Sequence, residues 1–206
     1  MLSEKSGLIF VLSGPSGTGK DTVLKKLLEF NKNIGVSVSF TTRKKRFSEI
    51  EGEDYFFVTE EEFLKKVERG EMLEYATYCN NYYGTPIAPV LSKISKGLDI
   101  ILKIETKGAI KMRENCKEAI HIFVTPPTIK ELSKRLNSRQ TETREIAEER
   151  IKIAKQELRL AKNYDYVIVN DEVTNCARKV LNIIEVEKLK TSRLNLRNES
   201  IIKEML

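Results

Sequence analysis

The sequence predicts an α/β protein, a parallel sheet flanked by helices, on three observations. Short apolar runs of strand length alternate with longer stretches of helical spacing: Leu8 to Leu12, Asp99 to Glu105, Ala119 to Val124 and Tyr166 to Val169 each stand between such stretches. The runs at 99–105 and 119–124 are apolar enough to be covered on both faces, as strands inside a parallel sheet are. A glycine-rich turn, Gly14-Pro15-Ser16-Gly17-Thr18-Gly19, joins the first run to the helical stretch Val23-Leu24-Lys25-Lys26-Leu27-Leu28. In such a sheet the functional site is expected at the carboxyl ends of the strands.

The first strand, turn and helix carry the spacing G-x-x-x-x-G-K, ending at Lys20, which is that of a phosphate-binding P-loop. Glycines without side chains let successive backbone N–H groups converge on an anion, the helix N-terminus adds partial positive charge, and Lys20 supplies a point charge to the β- and γ-phosphates. By itself the spacing also fits a glycine turn with a solvated lysine; the strand before it and the helix after it favour the phosphate site. After the lysine the motif calls for Ser or Thr to hold Mg²⁺, and this chain has Asp21, with Thr22 one place later.

The remaining elements follow in order. Gly35 to Phe40 alternates small or apolar with polar residues, which predicts one half-exposed strand, and Asp54 to Val58 predicts another. Between them lies Thr41-Thr42-Arg43-Lys44-Lys45-Arg46, a basic loop that reads as solvated until its neighbours are counted. Tyr55, Glu74, Tyr75, Tyr78, Tyr82 and Tyr83 recur downstream, so arginines for phosphate, tyrosines for stacking or phosphate hydrogen bonds and a carboxylate for base donors are expected to make a second nucleotide site. Pro89 to Lys96 reads as a helix stopped by Gly97, and Gly108 to Asn115 as a short helix. His121, mid-strand, is expected to be a satisfied core histidine rather than a catalytic one. Thr128 starts a helix through Leu136. After the polar break 137–143, Ala147, Ile151, Ala154, Leu158 and Ala161 form the seam of one long helix. A closing helix begins near Val173, and 188–206 is a basic-leaning helix or frayed tail.

Composition narrows the partners. Lys and Arg outnumber Asp and Glu by 36 to 30 among 206 residues, a net charge of +6 that favours anionic ligands. Cys79, Cys116 and Cys176 are odd in number, far apart and without metal-like spacing, which predicts free thiols in a reducing compartment. No stretch approaches the roughly 18 apolar residues needed to span a bilayer. The expectation is a cytoplasmic protein of one core with excursions, without a membrane or nucleic-acid partner; no aromatic-basic stripe suited to nucleic acid is evident.

Several motifs together resemble the guanylate kinase family: Gly14 to Lys20; Ser37-Val38-Ser39-Phe40-Thr41-Thr42-Arg43 with Arg46; Gly52-Glu53-Asp54-Tyr55; Asn81-Tyr82-Tyr83-Gly84; Ile104-Glu105; and Val169-Asn170-Asp171. The resemblance runs from about residue 7 to 190. It implies a P-loop nucleoside-monophosphate-kinase fold, with core 1–36 and 90–206, a GMP-binding insertion at 37–89 and a helical lid near 137–149. It also implies transfer of the γ-phosphoryl of ATP to GMP, with Mg²⁺ as cofactor and ATP and GMP as partners. ATP would lie on Gly14 to Thr22, with Asn170 near the adenine and Asp21 or Thr22 at the metal. Arg43, Arg46, Tyr55 and Tyr83 would hold the GMP phosphate; Ser39, Glu74, Thr85 and Glu105 would meet the guanine. Lys20 and the lid arginines Arg135, Arg139 and Arg150 would act on the transferring group. The same family fold also serves in scaffold proteins as a phosphopeptide-binding module, the rival reading; the intact Gly14 to Lys20 favours the enzyme. Three residues depart from the family's pattern. Asp21 stands for Ser or Thr, Lys103 for Asp, and Gln140 for the glycine expected after Arg139.

Overall fold

The computed structural model describes residues 7–137 and 144–193, the side chains of 144–147 excepted. Five parallel strands make the main sheet: β1 (Ile9–Ser13), β2 (Gly35–Ser37), β7 (Ile100–Lys103), β8 (Ile120–Thr125) and β9 (Tyr166–Val169), in the order β2-β7-β1-β8-β9. β1 lies at the centre, and every neighbouring pair is parallel. Its residues alternate between two apolar layers because side chains of a strand point to opposite faces. Phe10 and Leu12 pack with Val23, Leu24 and Leu27 of α1 (Lys20–Phe30) and with Ala177, Val180 and Ile184 of α7 (Val173–Lys188). On the other face Val11 packs with Val90 and Ile94 of α3 (Ile87–Ile94) and with Ala109 and Met112 of α4 (Thr106–Asn115). Helices on both faces of a buried parallel sheet are the arrangement the alternating sequence predicts.

The run 35–40 departs from expectation. It is not one strand but two, in two sheets. Ser37 ends β2 opposite Leu102, whereas Phe40 opens β3 (Phe40–Thr41) opposite Phe56 and Gly84 in a second sheet. The alternation continues through Val38 and Ser39 because both halves are half-buried, which conceals the change of partner from any periodicity argument. The second sheet, in the order β4-β3-β6-β5, is completed by β4 (Phe56–Phe57), β5 (Met72–Tyr78) and β6 (Asn81–Pro86). Its helix α2 (Glu60–Glu68) starts on a capping box between Thr59 and Glu62 and buries Phe63, which stacks 5.3 Å from Tyr82. β5 rests on α4, where the Asn115 amide donates to the Leu73 carbonyl at 2.9 Å and Lys111 lies 4.3 Å from the Tyr75 ring centre.

The third apolar cluster joins Leu132 and Leu136 of α5 (Ile129–Asn137) to Ala154 of α6 (Arg144–Glu157). The expected long helix through Ala161 ends sooner: residues Leu158–Asn163 tighten into a 3-10 helix that brings Tyr164 against Phe123, ring centres 4.8 Å apart, before β9 begins. His121 is buried at 1% exposure beside Tyr164, as expected for the core, but its Nε2 has no hydrogen-bond partner among the described residues. Burial first, then the Arg113 charge, pull its pKa down to about 4, so the ring is neutral. Cys79, Cys116 and Cys176 are free thiols. No described helix is long and apolar enough to cross a membrane.

Candidate active site

The turn after β1 has the geometry its glycines require. Gly14, Gly17 and Gly19 adopt φ of 144°, 86° and 87°, where other L-residues are strained. At Gly14 a Cβ would also lie 2.1 Å from the Val124 carbonyl oxygen. The Lys20 ammonium folds back over the loop, donating to the carbonyls of Gly14 at 2.5 Å and Pro15 at 3.1 Å, while the Thr18 hydroxyl closes the turn on Pro15 at 3.0 Å. Asn170, following β9, donates its amide to the Thr18 carbonyl at 2.7 Å and so braces the loop from behind. The Arg150 guanidinium from α6 reaches the Ser16 hydroxyl at 3.1 Å. Arg135 is ion-paired with Glu131 at 3.0 Å and donates to the Asn170 carbonyl at 3.2 Å, one layer away from the cleft. Arg139 and Gln140 lie outside the described residues.

One cleft runs from this loop to the second sheet. Ser16, Gly17, Gly19, Lys20, Asp21 and Arg150 line its loop end. Arg43, Arg46, Tyr55 and Tyr83 line the far end, and Ser39, Glu74 and Glu105 line the wall between sheet and helix α4. Thr85 does not reach the cleft surface; its hydroxyl donates to Glu74 Oε1 at 2.6 Å and fixes the carboxylate from behind. Thr22 is exposed on the first turn of α1 and is not part of the cleft wall, so of the two residues expected at a metal it is Asp21 that faces the space.

The charges in the cleft are arranged rather than scattered. Glu74 is 4% exposed, and its burial pushes its pKa up to about 7. Glu105 precedes α4, and its Oε2 is buried with no hydrogen-bond partner among the described residues, an acceptor available to a ligand's donors. Tyr55 lies edge-on to Tyr83, ring centres 5.9 Å apart, and burial pushes its phenol up to about 12, so it stays a hydroxyl donor. The Arg43 guanidinium sits 5.5 Å from the Tyr55 ring centre.

Two residues take part in this site without any local signal of it in the sequence. Glu49 receives both arms of Arg43, at 3.0 and 2.6 Å, and also the backbone N–H of Arg46 at 2.8 Å. Burial works against its charge, yet these bonds hold its pKa below the usual carboxylate range. A carboxylate three residues after Arg46 in a charged loop looks solvated, and only the fold shows it tying two arginines into one orientation. The second is Gly108: a Cβ there would lie 2.4 Å from Glu74 Oε2, so a side-chain-free position lets α4 close over the carboxylate. The acidic residue thirty-four places earlier gives no local signal of that approach.

Known proteins resemble this chain over nearly its whole length. A family model described as Guanylate kinase matches residues 6–187. The chain belongs to the guanylate kinase family. A guanylate kinase of Oceanobacillus iheyensis is 45% identical over 206 residues, covering 100% of both chains, and one of Clostridioides difficile is 46% identical over 189 residues, covering 92% of each. The crystal structure of guanylate kinase from Anaplasma phagocytophilum superposes with a TM-score of 0.79 at 38% identity, covering 94% of this chain and 93% of that one. Within the family's frame the cleft spans the P-loop after β1, the β7–α4 connection carrying Glu105, and the second sheet.

Proposed function

We propose that this chain is an ATP:GMP phosphotransferase that transfers the γ-phosphoryl of ATP to GMP, giving ADP and GDP. The observation that carries this reading is that two separate clusters of cationic side chains, one at Lys20 and one at Arg43 and Arg46, open into one cleft whose wall carries the buried Glu74. The segment 37–89 is the GMP-binding insertion and 137–149 the lid, part of which lies outside the described residues. The enzyme belongs in the cytoplasm and in purine nucleotide metabolism; the three free thiols are in keeping with a reducing compartment.

Each end of the cleft has its task. The backbone N–H groups of Gly14 to Thr18 and the Lys20 ammonium bind the ATP phosphates, with Asn170 supporting the loop beside the adenine. Arg43, Arg46, Tyr55 and Tyr83 bind the GMP phosphate, Glu49 presetting the arginine pair. Glu74, held from behind by the Thr85 hydroxyl, accepts from guanine N1–H and N2–H₂, Ser39 supplies a hydroxyl, and Glu105 offers its unpartnered oxygen. Adenine has no donor pair at these positions and would leave the Glu74 carboxylate unsatisfied. The acceptor oxygen of GMP is already ionised at neutral pH, so no general base is required. Lys20, Arg150 and Arg139 stabilise charge spread over the transferring group, Arg135 acts from behind through its bond to the Asn170 carbonyl, and closure of the lid excludes water that would compete as acceptor.

Magnesium suits the donors present. Asp21 puts one carboxylate into the cleft wall beside Lys20, and Mg²⁺ takes one or two carboxylates together with phosphate oxygens and water. Asp21 would hold it, directly or through water, where it neutralises phosphate charge. A coupled assay of ADP formation with GMP, AMP, CMP and UMP tests the whole reading. Turnover is expected with GMP alone; equal rates with AMP, or no turnover with GMP, would refute it.

A further inference from the structure

Lys103 ends β7 beside Leu12 of β1, and its ammonium pairs with the Asp21 carboxylate in the first turn of α1. Both line the cleft. Asp21 directly follows Lys20 of the loop, while the Lys103 Nζ lies 4.8 Å from the centre of the Tyr55 ring, in the cluster at the other end. The pair therefore stands in the gap between the two phosphate clusters, the space a phosphoryl group crosses in passing from one to the other. Asp21 is assigned above only to the metal, and Lys103 has no role there.

The two charges are unequally placed. The Lys103 side chain is 14% exposed and that of Asp21 is 61% exposed. A lysine side chain carries its charge throughout the neutral range. An ammonium has three N–H donors, more than one carboxylate oxygen satisfies. Because Asp21 lies largely in water, Lys103 can exchange that partner for a phosphate oxygen at little cost.

We propose that Lys103 is a catalytic cation that binds phosphate oxygens during transfer, and that Asp21 is the counter-charge that holds it in the nucleotide-free chain. This rests on the phosphotransferase reading. The step itself is unchanged: a GMP phosphate oxygen bonds to the γ-phosphorus as the bond from that phosphorus to the bridging oxygen breaks, the electron pair leaving with ADP. Lys103 keeps its proton and meets the charge that develops on the transferring oxygens. The Lys103–Asp21 pair thus gives way to a phosphate-bound lysine and a carboxylate that would serve the metal.

The test is calorimetry of ATP binding at about 0.15 M salt without divalent cation and without GMP, on Lys103→Met, Asp21→Asn and the double variant. Direct repulsion between Asp21 and the phosphates is the same with and without Lys103, so the part of the Asp21→Asn effect that needs Lys103 reports the pair. Lys103→Met is expected to weaken ATP about tenfold, and Asp21→Asn to tighten it about threefold more with Lys103 present than with Lys103→Met. In turnover, Lys103→Met should lower kcat about a hundredfold while the KM for GMP moves only a few-fold. A lysine that merely supports Tyr55 would instead give weaker GMP binding with metal-free ATP affinity unchanged, which overturns the proposal. So does an Asp21→Asn effect of equal size with and without Lys103. Lys103→Gln and a thermal melt of each variant separate loss of the fold from loss of the charge. If wild-type protein forms no ADP with GMP, the phosphotransferase reading fails, while the ATP titrations still decide whether Lys103 binds phosphate.

Discussion

Glu74 connects base recognition to pH. Its carboxyl has a pKa near 7 in the folded chain because it is buried, against an ordinary carboxylate value once unfolded. An acid whose folded pKa is raised contributes stability that is full below its unfolded pKa and is lost as pH rises through its folded pKa. The nucleotide-free protein should therefore lose a few degrees of Tm between about pH 5 and about pH 8 relative to Glu74→Gln, measured by thermal melts of both across that range. In its proposed role Glu74 accepts from guanine as a carboxylate, so Glu74→Gln should also weaken GMP about a hundredfold or more and erase the preference over AMP. An unchanged GMP/AMP ratio would remove Glu74 from the base site. Glu49 acts one step further back: Glu49→Gln releases Arg43 and Arg46 from their shared carboxylate and should raise the KM for GMP about tenfold with kcat within a few-fold, in steady-state assays. Arg43, Tyr55 and Glu74 were legible because residue type and spacing pointed to a ligand. Glu49 was not, since its partner is another side chain and a charged loop gives no sign of which charges meet.

At the scale of elements, the loop and first turn of α1 were readable down to the residue, because the glycine conformations and the lysine are local requirements of one turn. Lys20→Ala should reduce turnover by at least about a hundredfold yet leave GMP binding nearly intact by calorimetry, as separate phosphate clusters demand. Loss of GMP binding in that variant would mean that the clusters are not separate. The approach of α4 to β5 is a long-range matter and was not readable. Gly108→Ala puts a methyl group where the Glu74 carboxylate now sits, 2.4 Å from its Oε2, and should raise the KM for GMP about tenfold while leaving ATP binding unchanged. The early end of α6 belongs to the same class: the apolar seam continues past residue 157 while the backbone tightens to deliver Tyr164 to the sheet.

For the molecule as a whole, the alternation of apolar runs with helical stretches was enough to place a parallel sheet with its site at the strand ends, and β1, β7 and β9 do end at Lys20's loop, Glu105 and Asn170. What could not be read was where one sheet gives way to the other, because alternation reports burial and not partners. Ligand linkage follows from the architecture: GMP at about 100 times its Kd should stabilise the chain by about 2.7 kcal/mol, visible as a rise in Tm that Glu74→Gln abolishes. The passage from β2 to β3 takes only Val38 and Ser39, and Ser39 is also a wall of the base pocket. A swing of the smaller sheet relative to the larger would turn at two connections, Val38–Ser39 and the Pro86–Ile87 junction of β6 with α3, and would carry the Ser39 hydroxyl at the first of them. In the proposed role of Ser39, guanine meets a hydroxyl mounted at one hinge, so a base that fits poorly opposes the swing where it turns, and discrimination and closing become one mechanical event.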